Sequence, residues 1–72
     1  MPNYICNKHA DDKGRHEVHN SNCSYLPLPE NRITIGVFNN CREAIRHLEH
    51  ANQGKGFNFD GCYWCCRECH TG

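Results

Sequence analysis

No apolar segment of this chain approaches the roughly 20 residues that a membrane-spanning helix needs. The first twenty residues, MPNYICNKHADDKGRHEVHN, also contain no apolar core of the kind that a secretion signal carries. Nor does charge of either sign dominate, since eight Lys and Arg residues balance eight Asp and Glu residues. The clustered basic surface of a nucleic-acid-binding domain is therefore not expected. We accordingly expect a monomer of the reducing cytoplasm that binds neither membranes nor nucleic acid.

Apolar residues are scarce as well. They make up 38% of the 72 residues, and this share includes seven cysteines. A core of this size rarely supplies more than about 3–5 kcal/mol, so such chains usually need disulfides or a metal. An odd number of cysteines leaves one thiol over in any complete set of disulfides. Together with six histidines, this composition favours a metal, and we expect residues 1–72 to form a single metal-stabilised domain.

The alternation of polar and apolar residues predicts a small α+β fold. NYICN and HEVH read as the strands of a hairpin, and RITIGVF places Ile33, Ile35 and Val37 on one face of a third strand. Asn40 is a good N-cap for the helical periodicity that follows it. We therefore expect a three-stranded antiparallel sheet, one main helix at about 41–52, a loop at GKGFNFDG and a C-terminal cysteine knuckle.

The C-terminal segment DGCYWCCRECHTG holds four cysteines. They form two adjacent C-x-x-C units, Cys62 with Cys65 and Cys66 with Cys69. Two intervening residues allow both sulfurs of a unit to bind one ion from a tight turn, and structural zinc sites typically combine two such local pairs. The best upstream pair is His19 and Cys23 in HNSNC. The residues alone leave open which C-x-x-C unit completes the site.

The order of these motifs resembles the metal-binding domain of Ada-type DNA repair proteins. It is closer still to the small zinc modules, similar to that domain, found beside some bacterial nuclease-like domains. The resemblance covers about residues 4–70, and the matching residues are Asn7-Lys8, His19 and Cys23, Asn31-Arg32, Phe38, Glu43-Ala44, Gly56-Phe57, and Cys66 with Cys69.

The resemblance bears on the choice of cysteine pair. The family's final pair typically reads P-C-[KR]-x-C, and CCREC matches it with Cys65 in the proline place. The resemblance therefore implies one zinc ion bound by His19, Cys23, Cys66 and Cys69. The segment NFDGCYWC is an insertion relative to the family, however, and it leaves Cys62 and Cys65 as the alternative pair.

The same resemblance implies a zinc ion but not the methyl-transfer reaction of the repair proteins. In the Ada proteins the first zinc ligand is a cysteine that accepts a methyl group, and His19 stands at that position here. A site with four protein ligands, three of them thiolates, is closed and therefore structural. We expect an accessory or interaction module without catalytic activity, whose protein partner the sequence does not identify.

Several alternatives remain open on the sequence. The C-x-x-C unit of Cys62 and Cys65 could serve a thiol redox enzyme or sensor, and the Ada resemblance could extend to nucleic-acid binding. A second zinc site would combine that unit with Cys6 and His9. Cys41 falls on the apolar face of the predicted helix, and we expect it to pack in the core rather than bind the ion.

Overall fold

The computed structural model describes residues 2–71, which form a small α+β domain. Its main elements are β1 (Asn3–Asn7), β2 (Arg15–Asn20), β3 (Arg32–Val37), α1 (Cys41–Ala51) and β4 (Asn58–Gly61), and two short 3₁₀ turns cover Pro29–Asn31 and Arg67–Cys69. The prediction of an α+β fold with one main helix is confirmed. No helix within residues 2–71 has the length and apolar character needed to cross a membrane.

The four strands form one mixed sheet in the order β3-β1-β2-β4. β1 pairs antiparallel with both β2 and β3, whereas β4 runs parallel to β2. The prediction of a three-stranded antiparallel sheet was therefore wrong, because NFDG forms a strand instead of belonging to a loop. Asn and Asp disfavour strands, and a four-residue segment with one apolar side chain shows no alternation. Its strand conformation depends on pairing with β2, which is distant in sequence.

Helix α1 starts at the predicted residue. The side chain of Asn40 accepts a hydrogen bond of 3.0 Å from the backbone N–H of Glu43, which satisfies one of the free donors of the first turn. The helix buries Cys41 and Ala44 and packs across the sheet. It ends at Ala51, within one residue of the predicted end.

The core is small, and sulfur makes up much of it. The buried apolar residues in the described part of the chain are Tyr4, Cys6, Val18, Cys41, Ala44, Cys62 and Cys66. Strand β3 lies at one edge of the sheet and adds little, since Ile33 and Val37 are 48% and 55% exposed. The face of β3 that the alternation of residues predicted to be buried is thus only partly buried. With so little aliphatic surface buried, linkages through sulfur must contribute much of the stability.

One such linkage is a disulfide between Cys41 and Cys69. Cys41 is 1% exposed, in keeping with the expected core position, but its pairing was not predicted. The bond joins the first residue of α1 to the turn at Arg67–Cys69 and so fastens the C-terminal knuckle to the helix.

Candidate metal centre

Four side chains with metal-binding atoms converge where the end of β2 meets the C-terminal knuckle. They are His19, Cys23, Cys62 and Cys65, and their ligand atoms all lie within 4.8 Å of one another. The parallel pairing of β2 with β4 places Val18 opposite Gly61, and the backbone N–H of Cys62 donates to the Val18 carbonyl at 2.9 Å. His19 and Cys62, the first residues of the two pairs, therefore lie next to each other.

The spacing of these atoms fits a tetrahedral ion. Bond lengths of about 2.3 Å to sulfur and about 2.0–2.1 Å to nitrogen imply tetrahedral edges of about 3.8 Å between two sulfurs and about 3.6 Å between sulfur and nitrogen. The Sγ atoms of Cys23 and Cys62 are 3.8 Å apart. Cys65 Sγ lies 3.9 Å from His19 Nδ1. These two distances are opposite edges of one tetrahedron, so the donor set fits a metal ion.

Backbone N–H groups point at the sulfurs of the centre. Asn20 N–H donates to Cys65 Sγ at 3.2 Å, and Tyr25 N–H donates to Cys23 Sγ at 3.4 Å. A neutral thiol is a weak acceptor, whereas an ionised acceptor forms much stronger hydrogen bonds. The arrangement therefore suits sulfurs that carry the negative charge of metal-bound thiolates.

His19 is oriented by a carboxylate on the same strand. The imidazole is 1% exposed, its Nδ1 faces Cys65, and its Nε2 lies 3.3 Å from Glu17 Oε1. Metal-binding histidines usually give their second N–H to a carboxylate or carbonyl, which fixes the tautomer and raises the basicity of the ligand nitrogen. Sequence analysis missed Glu17, although its i, i+2 spacing from His19 on a predicted strand places both side chains on one face.

Burial governs the protonation of the ligands. It lowers the pKa of His19, which keeps the imidazole neutral and able to bind a cation. It also raises the pKa of the thiols of Cys62, Cys65 and Cys66. A cation that binds this centre must therefore displace protons from sulfur.

The structure assembles the alternative cysteine pair and not the pair implied by the family resemblance. Cys66 Sγ is 4.0 Å from Cys65 Sγ but lies outside the converging group, and Cys69 is joined to Cys41. Of the expected set, His19 and Cys23 lie in the converging group, and Cys62 and Cys65 stand there in place of Cys66 and Cys69. The physical reason is β4, because the inserted residues pair with β2 and bring Cys62 to the site.

The alternative of a second zinc site at Cys6, His9, Cys62 and Cys65 is not assembled either. Cys6 is buried in β1, where its Sγ contacts the Asn7 carbonyl at 3.5 Å, and His9 is exposed in the following turn. Cys62 and Cys65 belong to the centre with His19. Across residues 2–71 as the structure stands, with Cys41 joined to Cys69, this is the one group of three or more His, Cys, Asp or Glu side chains that brings its ligand atoms together.

Comparisons with protein-family models, with curated proteins and with solved structures gave no match for this chain. The functional interpretation therefore depends on the geometry of the cysteine and histidine cluster, which is that of a small metal-binding module.

Proposed function

We propose that the protein is a structural zinc module in which one ion fastens the C-terminal knuckle to the end of β2. The ligands are His19, Cys23, Cys62 and Cys65. The observation that carries this proposal is the pair of opposite tetrahedral edges, 3.8 Å between two sulfurs and 3.9 Å between sulfur and nitrogen. Zinc binding in comparable peptides supplies on the order of 10 kcal/mol of folding free energy. That amount would compensate for the small apolar core.

The donor types support zinc over other biological metals. Magnesium and calcium prefer oxygen ligands, which this centre does not contribute. Three thiolates and one imidazole around a tetrahedron are typical of structural zinc sites. All four positions are filled by the protein, so a bound ion has no open position for water or substrate, and the proposed role is non-catalytic.

The alternative of a thiol redox enzyme or sensor has less support. Redox-active cysteines have depressed pKa values, whereas burial raises the pKa of both Cys62 and Cys65. Their sulfurs also face His19 and Cys23, which makes them metal ligands in the proposed module.

An interaction role is supported by aromatic side chains that surround the centre. Trp64 and Tyr25 are 62% and 57% exposed, and their rings stack with centroids 5.0 Å apart. Tyr63 meets Trp64 edge to face at 4.9 Å. Aromatic residues are enriched in protein interfaces, and the zero net charge does not favour nucleic acid. We therefore propose a protein partner. The proposal of a monomeric, cytoplasmic module rests on the composition of the chain alone, and the Cys41–Cys69 disulfide does not add support for a reducing compartment.

We also propose a relation to the Ada-type metal-binding domain. It is supported by the order of the strand, H-x-x-x-C, capped helix and C-x-x-C motifs along the chain. His19 occupies the position of the methyl-accepting cysteine, and an imidazole bound to zinc is not a substitute for that thiolate nucleophile. The proposed relation thus covers fold and metal but not alkyl transfer.

The ligand assignment is tested by matched serine variants of neighbouring cysteines. Protein purified without added metal and with the Cys41–Cys69 disulfide intact is expected to contain one zinc ion per chain by elemental analysis. Cys62→Ser should lower this ratio markedly, because a serine hydroxyl is a poor ligand beside thiolates, whereas Cys66→Ser should leave it at one. With ¹¹³Cd in place of zinc, Cys62→Ser should shift the resonance as expected for the loss of one thiolate. The reverse pattern would return the assignment to Cys66 and Cys69, and wild-type protein that folds without metal would overturn the proposal.

A further inference from the structure

Three cysteines outside the metal centre, Cys41, Cys66 and Cys69, belong to one region of the core. Cys41 is joined to Cys69 by the disulfide, and the backbone N–H of Cys69 donates to the Cys66 carbonyl at 2.9 Å across a single turn. Cys41 and Cys66 are each 1% exposed and belong to one buried cluster, against which Cys69 packs. The disulfide places two sulfurs between the start of α1 and the C-terminal turn, and Cys66 is buried in the same cluster.

We propose that reduction of the Cys41–Cys69 disulfide creates a second metal site, in which the thiolates of Cys41, Cys66 and Cys69 bind a thiophilic cation. Cys66 and Cys69 have the C-x-x-C spacing that lets two sulfurs bind one ion from a tight turn. Cys41 brings the third sulfur from another element, and its Cα lies 6.5 Å from that of Cys69. Once the bond is broken, the two sulfurs need only separate to about 3.8 Å to share an ion, which side-chain rotation supplies.

The surroundings of the three sulfurs suit a cation. Cys41 is the first residue of α1, where the partial positive charge of the helix end favours the thiolate over the thiol. The carboxylate of Glu68 lies close by, with Oε1 3.5 Å from Cys41 Sγ, and is placed to supply an oxygen as a fourth ligand. The site would therefore offer three soft donors and one hard donor to a divalent ion.

The disulfide is also accessible from solvent. A crevice of about 300 Å³ runs beside α1, and Cys69 and Glu68 line it together with Arg42 and Arg46. Cys69 is partly exposed, while Cys41 is buried. Glu49 and Glu68 balance the charges of the two arginines there, so a small reductant and a cation can both approach along this crevice, and Cys69 is the sulfur that they meet first.

The opening step is thiol–disulfide exchange with a small dithiol. One thiolate of the reductant attacks Cys69 Sγ, the bond to Cys41 breaks, and Cys41 leaves and takes up a proton. The second thiol of the reductant then attacks the mixed disulfide and releases Cys69, which takes up the other proton. The protein gains two electrons and two protons, and the reductant becomes a disulfide. A divalent cation that binds the three thiols then displaces three protons from sulfur.

The test is the number of cadmium ions bound in each redox state. The protein is either left oxidised or reduced with dithiothreitol, desalted under nitrogen, loaded with Cd²⁺ and measured by native mass spectrometry. Iodoacetamide labelling after denaturation verifies the number of free thiols. We expect the ratio of cadmium to protein to rise from one in the oxidised protein to two in the reduced protein.

Single serine variants locate the second ion. Cys41→Ser and Cys66→Ser should bind one cadmium ion under both conditions, whereas the control Cys6→Ser should repeat the change from one to two. A fully reduced wild-type protein that binds one ion, folded or unfolded, would overturn the proposal. So would a second ion that persists in both variants. Binding of no cadmium in either state would instead contradict the zinc module proposed above, and this second site with it.

Discussion

Val18 of β2 and Gly61 of β4 lie opposite each other in the parallel part of the sheet, and the residue that follows each of them belongs to the candidate metal centre. His19 and Cys62 therefore owe their proximity to backbone pairing and not to the flexibility of a loop. The second residue of each pair follows within one turn, at Cys23 and Cys65. The pairing of β2 with β4 thus holds both halves of the site together in the folded chain.

The close packing at Gly61 gives the first prediction. A Cβ atom at this position would lie 2.6 Å from both the Cys66 carbonyl oxygen and Cys69 Cβ. Because the C-terminal turn must shift to relieve this overlap, Gly61→Ala should lower the free energy of unfolding by about 3 kcal/mol and weaken zinc binding. Urea denaturation and metal titration measure the two effects.

Gly54→Ala is the matched control for that change. Gly54 has a φ of +81° and no atom within 4 Å of a Cβ added there, so this variant carries only the backbone cost of about 1 kcal/mol. Equal losses of unfolding free energy in the two variants would show that the C-terminal knuckle can move away from β4 without cost.

Removal of zinc is the second prediction. A strong chelator should abolish the dispersion of the amide NMR spectrum, because the buried core contains few aliphatic side chains and a structural zinc site contributes on the order of 10 kcal/mol. Added zinc should restore the spectrum if the disulfide remains intact. An unchanged spectrum after complete removal of zinc would mean that the apolar core and the disulfide suffice for folding.

The third prediction concerns the contact between Glu17 and His19. Glu17→Ala removes the carboxylate that lies 3.3 Å from His19 Nε2, so zinc affinity should fall by about 10- to 100-fold while the fold persists in excess zinc. Competition with a chromophoric chelator measures the affinity. Glu30→Ala, in the exposed turn at Pro29–Asn31, serves as control and should have no effect. Equal affinity of the two variants would exclude Glu17 as a positioning residue.

The fourth prediction is a loss of stability on removal of the disulfide. The bond closes a loop with a sequence separation of 28, for which chain entropy gives a contribution of about 3–4 kcal/mol. Cys41→Ala should lose much of that amount in urea denaturation but keep one zinc ion, because Cys41 lies outside the metal centre. Loss of the ion from the folded variant would identify Cys41 as a ligand.

The fifth prediction is alkaline destabilisation through Cys6. Burial raises the pKa of this thiol from 9.0 to about 11, so the unfolded chain ionises first as the pH rises. The stability that the neutral thiol contributes is fully present below pH 9 and is lost as the pH approaches 11. Wild-type protein should therefore lose up to about 2 kcal/mol more than Cys6→Ala over this interval. If the unfolding free energy, measured with urea, depends on pH equally in the two proteins, the Cys6 thiol is not the group responsible.

Local signals were sufficient to predict α1 and the upstream ligand pair. Asn40 caps the helix because its side chain reaches Glu43, which lies within the same turn. His19 and Cys23 are close in sequence, so their shared location needs no distant partner. Features of this kind are encoded within a few residues of chain.

The remaining features depend on contacts between distant segments. Strand β4 has weak strand propensity, and it forms because it pairs with β2. That strand brings Cys62 and Cys65 to the candidate centre, whereas the expectation of Cys66 and Cys69 rested on the similarity of CCREC to the family's final motif. The disulfide likewise depends on α1 lying against the C-terminal turn, and no spacing of cysteines along the chain indicates it.

The parallel pairing of β2 with β4 also bears on the order of folding. The two halves of the metal centre come from opposite ends of the chain, with β3 and α1 between them, so a partly synthesised chain holds His19 and Cys23 without a complete site. Closing so long a loop is slow relative to local hairpin and helix formation. We expect tight zinc binding to appear last during folding, when β4 has paired with β2.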